Sequence, residues 1–199
     1  MRNLYKPFIA VLLLSLFIAG CKKDKTETVK TYFNYNGTDY NLSQGFLENY
    51  GKYGDQGYNL DLSLLSSNFK IHESGGALDS VSGTGHALTF EIFTSLPGKL
   101  DVRDYNYDAT ASGAEGTFDY GMVVMDFNAS TETGSIYEIT GGKVSVTNNG
   151  SEYEITLNCT ASNGKTITGY YKGSLKYYNY EKKKGSENLL PKNKSIFKF

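Results

Sequence analysis

The residues with the most chemical potential lie in one short stretch. Asp104-Tyr105-Asn106-Tyr107-Asp108-Ala109, with Glu115 further on, places oxygen ligands at positions 1, 3, 5 and 12 of a loop, the spacing by which a chain wraps calcium. Two features oppose that reading. The glycine needed for the sharp turn at position 6 is Ala109, and no helical pattern flanks the loop. A polar strand running into an Asp-rich turn accounts for the same residues, so no metal ligand is assigned and no cofactor is expected. His72 and His86 sit in separate polar stretches without a nearby Cys or second His, and zinc needs three or four ligands. Glu152 and Glu154 are two apart, so on a strand they share a face, but that face is polar throughout. Nucleophilic catalysis finds no Gly-x-Ser-x-Gly, and Gly83-Thr84-Gly85-His86 lacks the Lys-Ser/Thr of a phosphate cradle. No catalytic residue is assigned, and the expectation is a protein that is not an enzyme.

The tyrosines suggest binding. Tyr105 and Tyr107 share a strand face, and Tyr170, Tyr178 and Tyr180 cluster towards the C-terminus. Aromatic rings on a sheet face can hold sugar rings or a protein partner; ordinary half-buried strand tyrosines are the plainer alternative.

The elements that must position these residues begin after a leader. Arg2 and Lys6 precede Phe8 to Ile18, a run of almost unbroken apolar residues. At eleven residues it falls short of the ~20 needed to cross a bilayer and has the anatomy of a signal peptide. It ends in Ile18-Ala19-Gly20-Cys21, which resembles the bacterial lipobox. The resemblance implies cleavage before Cys21, with that thiol carrying the lipid that attaches the protein to a membrane. Residues 1–20 are thus expected to be a lipoprotein signal peptide, residues 21–28 a polar tether, residues 29–180 a single domain and residues 181–199 a basic tail. The tail, from Glu181-Lys182-Lys183-Lys184 through Lys192, Lys194 and Lys198, reads as solvated or frayed, with contact to a membrane surface or an anionic polymer as the alternative. Because Lys follows Cys21, likeness to known lipoproteins disfavours retention at the inner membrane. The cell envelope, at the outer membrane on its periplasmic or surface face, is the expected location.

Composition narrows the fold. The chain of 199 residues has 39% hydrophobic residues, 22 Gly, 17 Tyr, 11 Phe, only 3 Pro and no Trp, a mixture that favours strands and tight turns. The net charge is −1, and subtracting the positive charges of Arg2 and Lys6 leaves −3, which excludes the basic face of a nucleic-acid-binding domain. If Cys21 carries lipid, Cys159 has no disulfide partner within the chain.

From Val29 onwards the apolar residues alternate with polar ones between turns. Thr31 to Tyr35, Asn36-Gly37 and Thr38 to Leu42 predict a hairpin. Tyr58 to Leu64 and Ala87 to Phe93 alternate. Leu96-Pro97-Gly98 turns into a strand near Lys99 to Tyr107, and Gly116 to Tyr120 and Met122 to Asn128 follow. The last third, from Lys143 to Leu175, is a meander placing Val144, Val146, Tyr153, Ile155, Leu157, Cys159, Ile167, Tyr171 and Leu175 on one face. No amphipathic helix of three turns is present. These features predict an all-β domain, an antiparallel two-sheet β-sandwich, with a lipocalin-like β-barrel as the alternative.

Ile139 to Val146, Tyr153 to Leu157 and Ser162 to Leu175, with the Leu96-Pro97-Gly98 turn, are similar to the C-terminal signature of small uncharacterised envelope lipoproteins of Bacteroidetes. The resemblance covers roughly residues 90–178. It implies a β-sandwich in the envelope and carries over no functional residues. Asp79-Ser80-Val81 resembles the short O-glycosylation motif of that phylum. The function expected is that of a lipid-anchored, non-catalytic binding or adhesion domain for a glycan or protein partner. A structural accessory subunit of a surface complex is the alternative, and a small glycoside hydrolase a more distant one.

Overall fold

The structure is a computed structural model that describes residues 30–181 and Phe197. The expected leader, the tether with Cys21, and nearly all of the basic stretch after Glu181 lie outside the described residues. The described residues form twelve strands: β1 (Tyr32–Tyr35), β2 (Thr38–Asn41), β3 (Gln44–Lys52), β4 (Tyr58–Leu65), β5 (Phe69–Ser74), β6 (Ala77–Thr94), β7 (Asp104–Tyr107), β8 (Thr117–Asn128), β9 (Thr133–Asn149), β10 (Tyr153–Ala161), β11 (Thr166–Gly173) and β12 (Lys176–Asn179). The domain is all-β, as the alternation predicts.

The strands join in the order β12-β3-β4-β6-β8-β7-β9-β10-β11-β1-β2, and β5 pairs with β6 alone. β12 on β3 and β7 on β8 are parallel; the other neighbours are antiparallel. The pairing does not divide into the two face-packed sheets of a sandwich. One strongly curled mixed sheet forms a half-barrel, so the barrel-like alternative fits.

Local chemistry explains both the hairpins and the curl. Asn36 and Gly37 both have positive φ, at 52° and 90°, as a two-residue hairpin whose twist matches its strands requires. β9 pairs with β8 through its first residues and with β10 from Ile139 onwards. At the change of direction stands Gly142, with φ 108°. A Cβ there would lie 2.3 Å from the Asn158 carbonyl oxygen, so the bend demands glycine. Likewise β6 pairs first with β5 and then with β4 and β8.

The strand expected from Lys99 to Tyr107 is shorter, because Asp101 holds the preceding residues in a loop. Its carboxylate accepts from the hydroxyls of Thr94 and Ser95 and lies 3.5 Å from Arg103 Nε. The two strands expected between Gly116 and Asn128 are one, interrupted by a register shift opposite Glu91 and Ile92.

The sheet has apolar clusters on both faces. Inside the curl, Leu60, Leu62 and Leu64 of β4 and Leu88, Phe90 and Ile92 of β6 meet Val144, Val146, Ile155, Leu157 and Ile167. Every member of the predicted inner face of the C-terminal meander packs in this core, Leu175 in part. Each fully buried Leu or Phe contributes about 1.5–3 kcal/mol. A smaller outer cluster gathers Phe46, Leu65, Phe69, Ala87, Met122, Val124, Phe127, Tyr178 and Phe197. Cys159 is buried and unpaired; burial pushes its thiol up to about 11, which makes it a packing residue.

Candidate functional site: an acidic row on the outer face

The residues nominated by the sequence do not assemble into one site. Asp104 accepts hydrogen bonds from Lys143 Nζ at 2.8 Å and Ser145 Oγ at 2.6 Å, which hold its carboxyl below the usual range. Asp108 caps the turn that follows, accepting from the backbone N–H and hydroxyl of both Thr110 and Ser112. Those donors depress its pKa strongly. Asn106 and Glu115 are exposed. The calcium-like spacing is therefore spent on turn capping and strand pairing. Among the described residues no three His, Cys, Asp or Glu side chains are placed to hold a metal ion.

Tyr105 requires a correction, since it is not an exposed ring. It is 0% exposed in the inner core, where its hydroxyl accepts from the Asp101 N–H at 2.8 Å and lies 3.3 Å from Thr94 Oγ1. Tyr107 is half-buried against Phe118. The phase of β7 is set by its pairing with β9, where Tyr105 lies opposite the inward Val144. Tyr178 is buried in the outer cluster, with its hydroxyl on Glu73. Tyr170 is half-buried on β11.

The two histidines are far apart in role. His72 bonds Ser82 Oγ. His86 packs on Tyr40, and its Nδ1 accepts the Asp126 N–H; burial lowers its pKa against the opposing pull of Asp126. Glu154 pairs with Lys172 at 2.7 Å, and Glu152 lies in the turn before β10. Asp79 and Ser80 are exposed on β6.

A cavity of about 390 Å³ opens where β3 comes near β1 and β11, lined by Gln44, Glu152, Tyr171, Lys172, Ser174 and Lys176 among others. Its charged groups are largely committed, Lys172 to Glu154 and Lys176 to Glu73.

What the sequence reading missed lies on the outer face, beside the apolar cluster. Strand register sets Glu48 of β3 opposite Asp61 of β4, Asp61 opposite Glu91 of β6, and Glu91 opposite Tyr120 of β8. The register shift in β8 brings Asp119 near enough to act on Asp61. Directly opposed residues on neighbouring strands have Cβ atoms roughly 5 Å apart, and like charges in that position destabilise a sheet. Glu48 is 5% exposed and Asn59 1%, while Asp61, Glu91 and Asp119 are half-buried. Burial, then Glu91, Glu48 and Asp119, push the Asp61 carboxyl well above the ordinary range.

Asn59, two residues before Asp61 and on the same face, donates its amide to Glu91 Oε1 at 2.5 Å. Its own Oδ1 is buried and receives no hydrogen bond. Asp61 likewise receives none from any described residue. Aromatic rings border the row. Tyr50 reaches Glu48 Oε1 at 3.3 Å and stacks on Tyr180 with centroids 5.5 Å apart. Tyr120 stands close enough for Glu138, Glu91 and Asp61 to help burial hold its hydroxyl up.

Stacked carboxylates in a sheet cost stability, and such violations concentrate where a protein binds or reacts. Family models, curated proteins and solved structures were all compared with the chain, and none matches it.

Proposed function

We propose that the protein is a lipid-anchored component of the cell envelope whose β-domain is a non-catalytic binding module taking a glycan at the acidic outer face. The anchoring half of this reading rests on the leader and on Ile18-Ala19-Gly20-Cys21, together with the resemblance to envelope lipoproteins of Bacteroidetes. The binding half rests on one observation: the half-buried Asp61 carboxyl, an acceptor with no donor among the described residues, lies on the outer face beside the Tyr50–Tyr180 stack. Sugars supply hydroxyl donors for such acceptors and ring faces for tyrosines.

A thermal-shift screen of the protein against a glycan panel tests the binding half. A ligand of the folded state adds about 2.7 kcal/mol at a hundredfold excess over its dissociation constant. The expected result is a sugar-dependent rise that Asp61→Asn and Glu91→Gln diminish. A flat screen together with a stoichiometric outer-membrane partner in pull-downs would instead make the protein an accessory subunit. For the anchor, unchanged acyl labelling and membrane fractionation of a Cys21→Ala variant would refute lipidation.

A second reading has a specific observation behind it. Asp61 and Glu91 oppose each other directly on paired strands, and a retaining glycosidase works with two such carboxyl groups on facing positions. Burial and the neighbouring carboxyls raise the Asp61 carboxyl well above the ordinary range, while Glu91 accepts from Asn59. Release of reducing sugar by the wild type but not by Glu91→Gln would favour this hydrolase.

A further inference from the structure

We propose that the outer face carries a pocket for the aromatic side chain of a peptide segment, walled by Phe69 and Phe127, and that Phe197 of the chain's own C-terminal segment fills it as a displaceable plug. The proposal is independent of the glycan reading above.

The pocket is built by departures from the regular sheet. Val123 and Met125 of β8 face the inner core, whereas Met122 and Val124 face the outer cluster. Strict alternation would send Phe127 inward with Met125. Asp126 breaks that phase. It has a φ of 51°, and around it the register of β8 shifts against both β6 and β9. The bulge re-aims Phe127 to the outer face. Opposite Phe127 on β6 stands Gly85. A Cβ there would lie 3.0 Å from the Phe69 ring and 2.4 Å from Ser66 Oγ, so the missing side chain leaves the room that Phe69 occupies.

Phe197 seats between these two rings. Its centroid lies 5.5 Å from that of Phe69 and 5.2 Å from that of Phe127, the latter edge-on at 89°, and the residue is 2% exposed. Edge-to-face packing is a preference of aromatic rings, so an aromatic side chain is the ligand class. Burial of the ring favours the closed state. Against it stands the entropy of closing a loop over residues 182–196, which separate Phe197 from Glu181 in the sequence. The two are of the same order, so the Phe197 contact is exchangeable, and a second segment bearing an aromatic residue competes for the same rings.

The test uses the full-length wild type, full-length Phe197→Ala, and a fluorescently labelled peptide of residues 189–199, read by anisotropy. The expected result is saturable binding of the peptide to the Phe197→Ala protein below about 1 mM, the effective concentration that a short tether provides. The wild type should bind it at least about tenfold more weakly, because its own Phe197 fills the pocket. A peptide carrying Phe197→Ala should lose the binding, and one carrying Phe199→Ala should keep it. Phe127→Leu added to the Phe197→Ala protein should weaken it severalfold, with circular dichroism reporting the fold of each variant. Phe197→Leu, which keeps an apolar residue at the site, is the second opened variant and should bind with intermediate affinity. No binding to either opened variant would overturn the pocket. Equal binding to the wild type and the opened variants would overturn the plug. Binding that survives Phe197→Ala in the peptide, or Phe127→Leu in the protein, would overturn the assignment to these rings.

Discussion

Replacing Asp61 with Asn should stabilise the protein at pH 8 and leave it unchanged near pH 4. Asn approximates the size and polarity of a protonated Asp and cannot ionise. In the wild type Asp61 stands opposite both Glu48 and Glu91. Each pair is roughly 5 Å apart by strand geometry, and a unit charge at that distance repels by about 3 kcal/mol at an effective dielectric of 20. Screening at the half-open outer face reduces the sum, so a gain of about 1–3 kcal/mol is expected, or very roughly 3–10 °C in midpoint for a chain of this size.

The pH dependence has a defined sign. The folded carboxyl is raised above its unfolded value, so between the two pKa values the native state binds the extra proton. Stability is then lost as pH rises through the folded pKa, and the loss begins near the unfolded value of ~3.9. Urea unfolding of both proteins from pH 4 to pH 9 isolates Asp61 and the carboxyls coupled to it, because groups that do not interact with Asp61 cancel in the difference. A difference that is flat with pH, or an Asp61→Asn protein less stable than wild type at pH 8, would refute the like-charge account of the row.

Three further outcomes follow from the structure. Tyr105→Phe removes the acceptor for the Asp101 N–H and breaks the link to Thr94; the expected loss in urea unfolding is about 1–2 kcal/mol, and no loss would show that the hydroxyl network is not structural. Gly142→Ala combines a positive φ with a Cβ 2.3 Å from the Asn158 carbonyl, and should cost about 2–3 kcal/mol, or prevent folding, as read by circular dichroism. Asp108→Ala should loosen the turn at Thr110–Ser112, seen as faster amide exchange there, while calcium and chelator leave the wild-type melting midpoint unchanged; a calcium-dependent rise would restore the metal loop.

The contrast between what could be read in the sequence and what could not has a physical basis. Alternation carries inward and outward faces, so Val144, Val146, Ile155, Leu157 and Ile167 declared the inner core before any pairing was known. Asn36-Gly37 declared its hairpin, because few dipeptides adopt two positive φ values cheaply. Glu48, Asp61 and Glu91 each look like a solvated residue in its own strand. They become a cluster only through registers joining segments distant in the chain, and Asp119 joins them through a register shift that no local pattern reports. The choice between a two-sheet sandwich and a barrel could not be read from the sequence for a similar reason. It turns on single strands such as β9 serving two neighbours across a glycine bend, whereas alternation is blind to strand partners. The Asn59-Leu60-Asp61-Leu62 alternation was visible, but not the buried Asn59 oxygen that no donor reaches.

The pairing of the first and last strands has a consequence for how the domain is made. Tyr32 of β1 pairs with Tyr170 of β11, and Leu47 of β3 with Tyr177 of β12, so the first described strands are joined to the last ones across more than a hundred residues. Such non-local pairing places the domain among slow folders, on the millisecond-to-second scale. During synthesis, β1 and the free edge of β3 must wait for the final strands, leaving hydrogen-bonding edges exposed to other chains in the interval. Loss of β12 should therefore act less on the finished core than on yield, by prolonging the period in which β3 can pair with the wrong molecule.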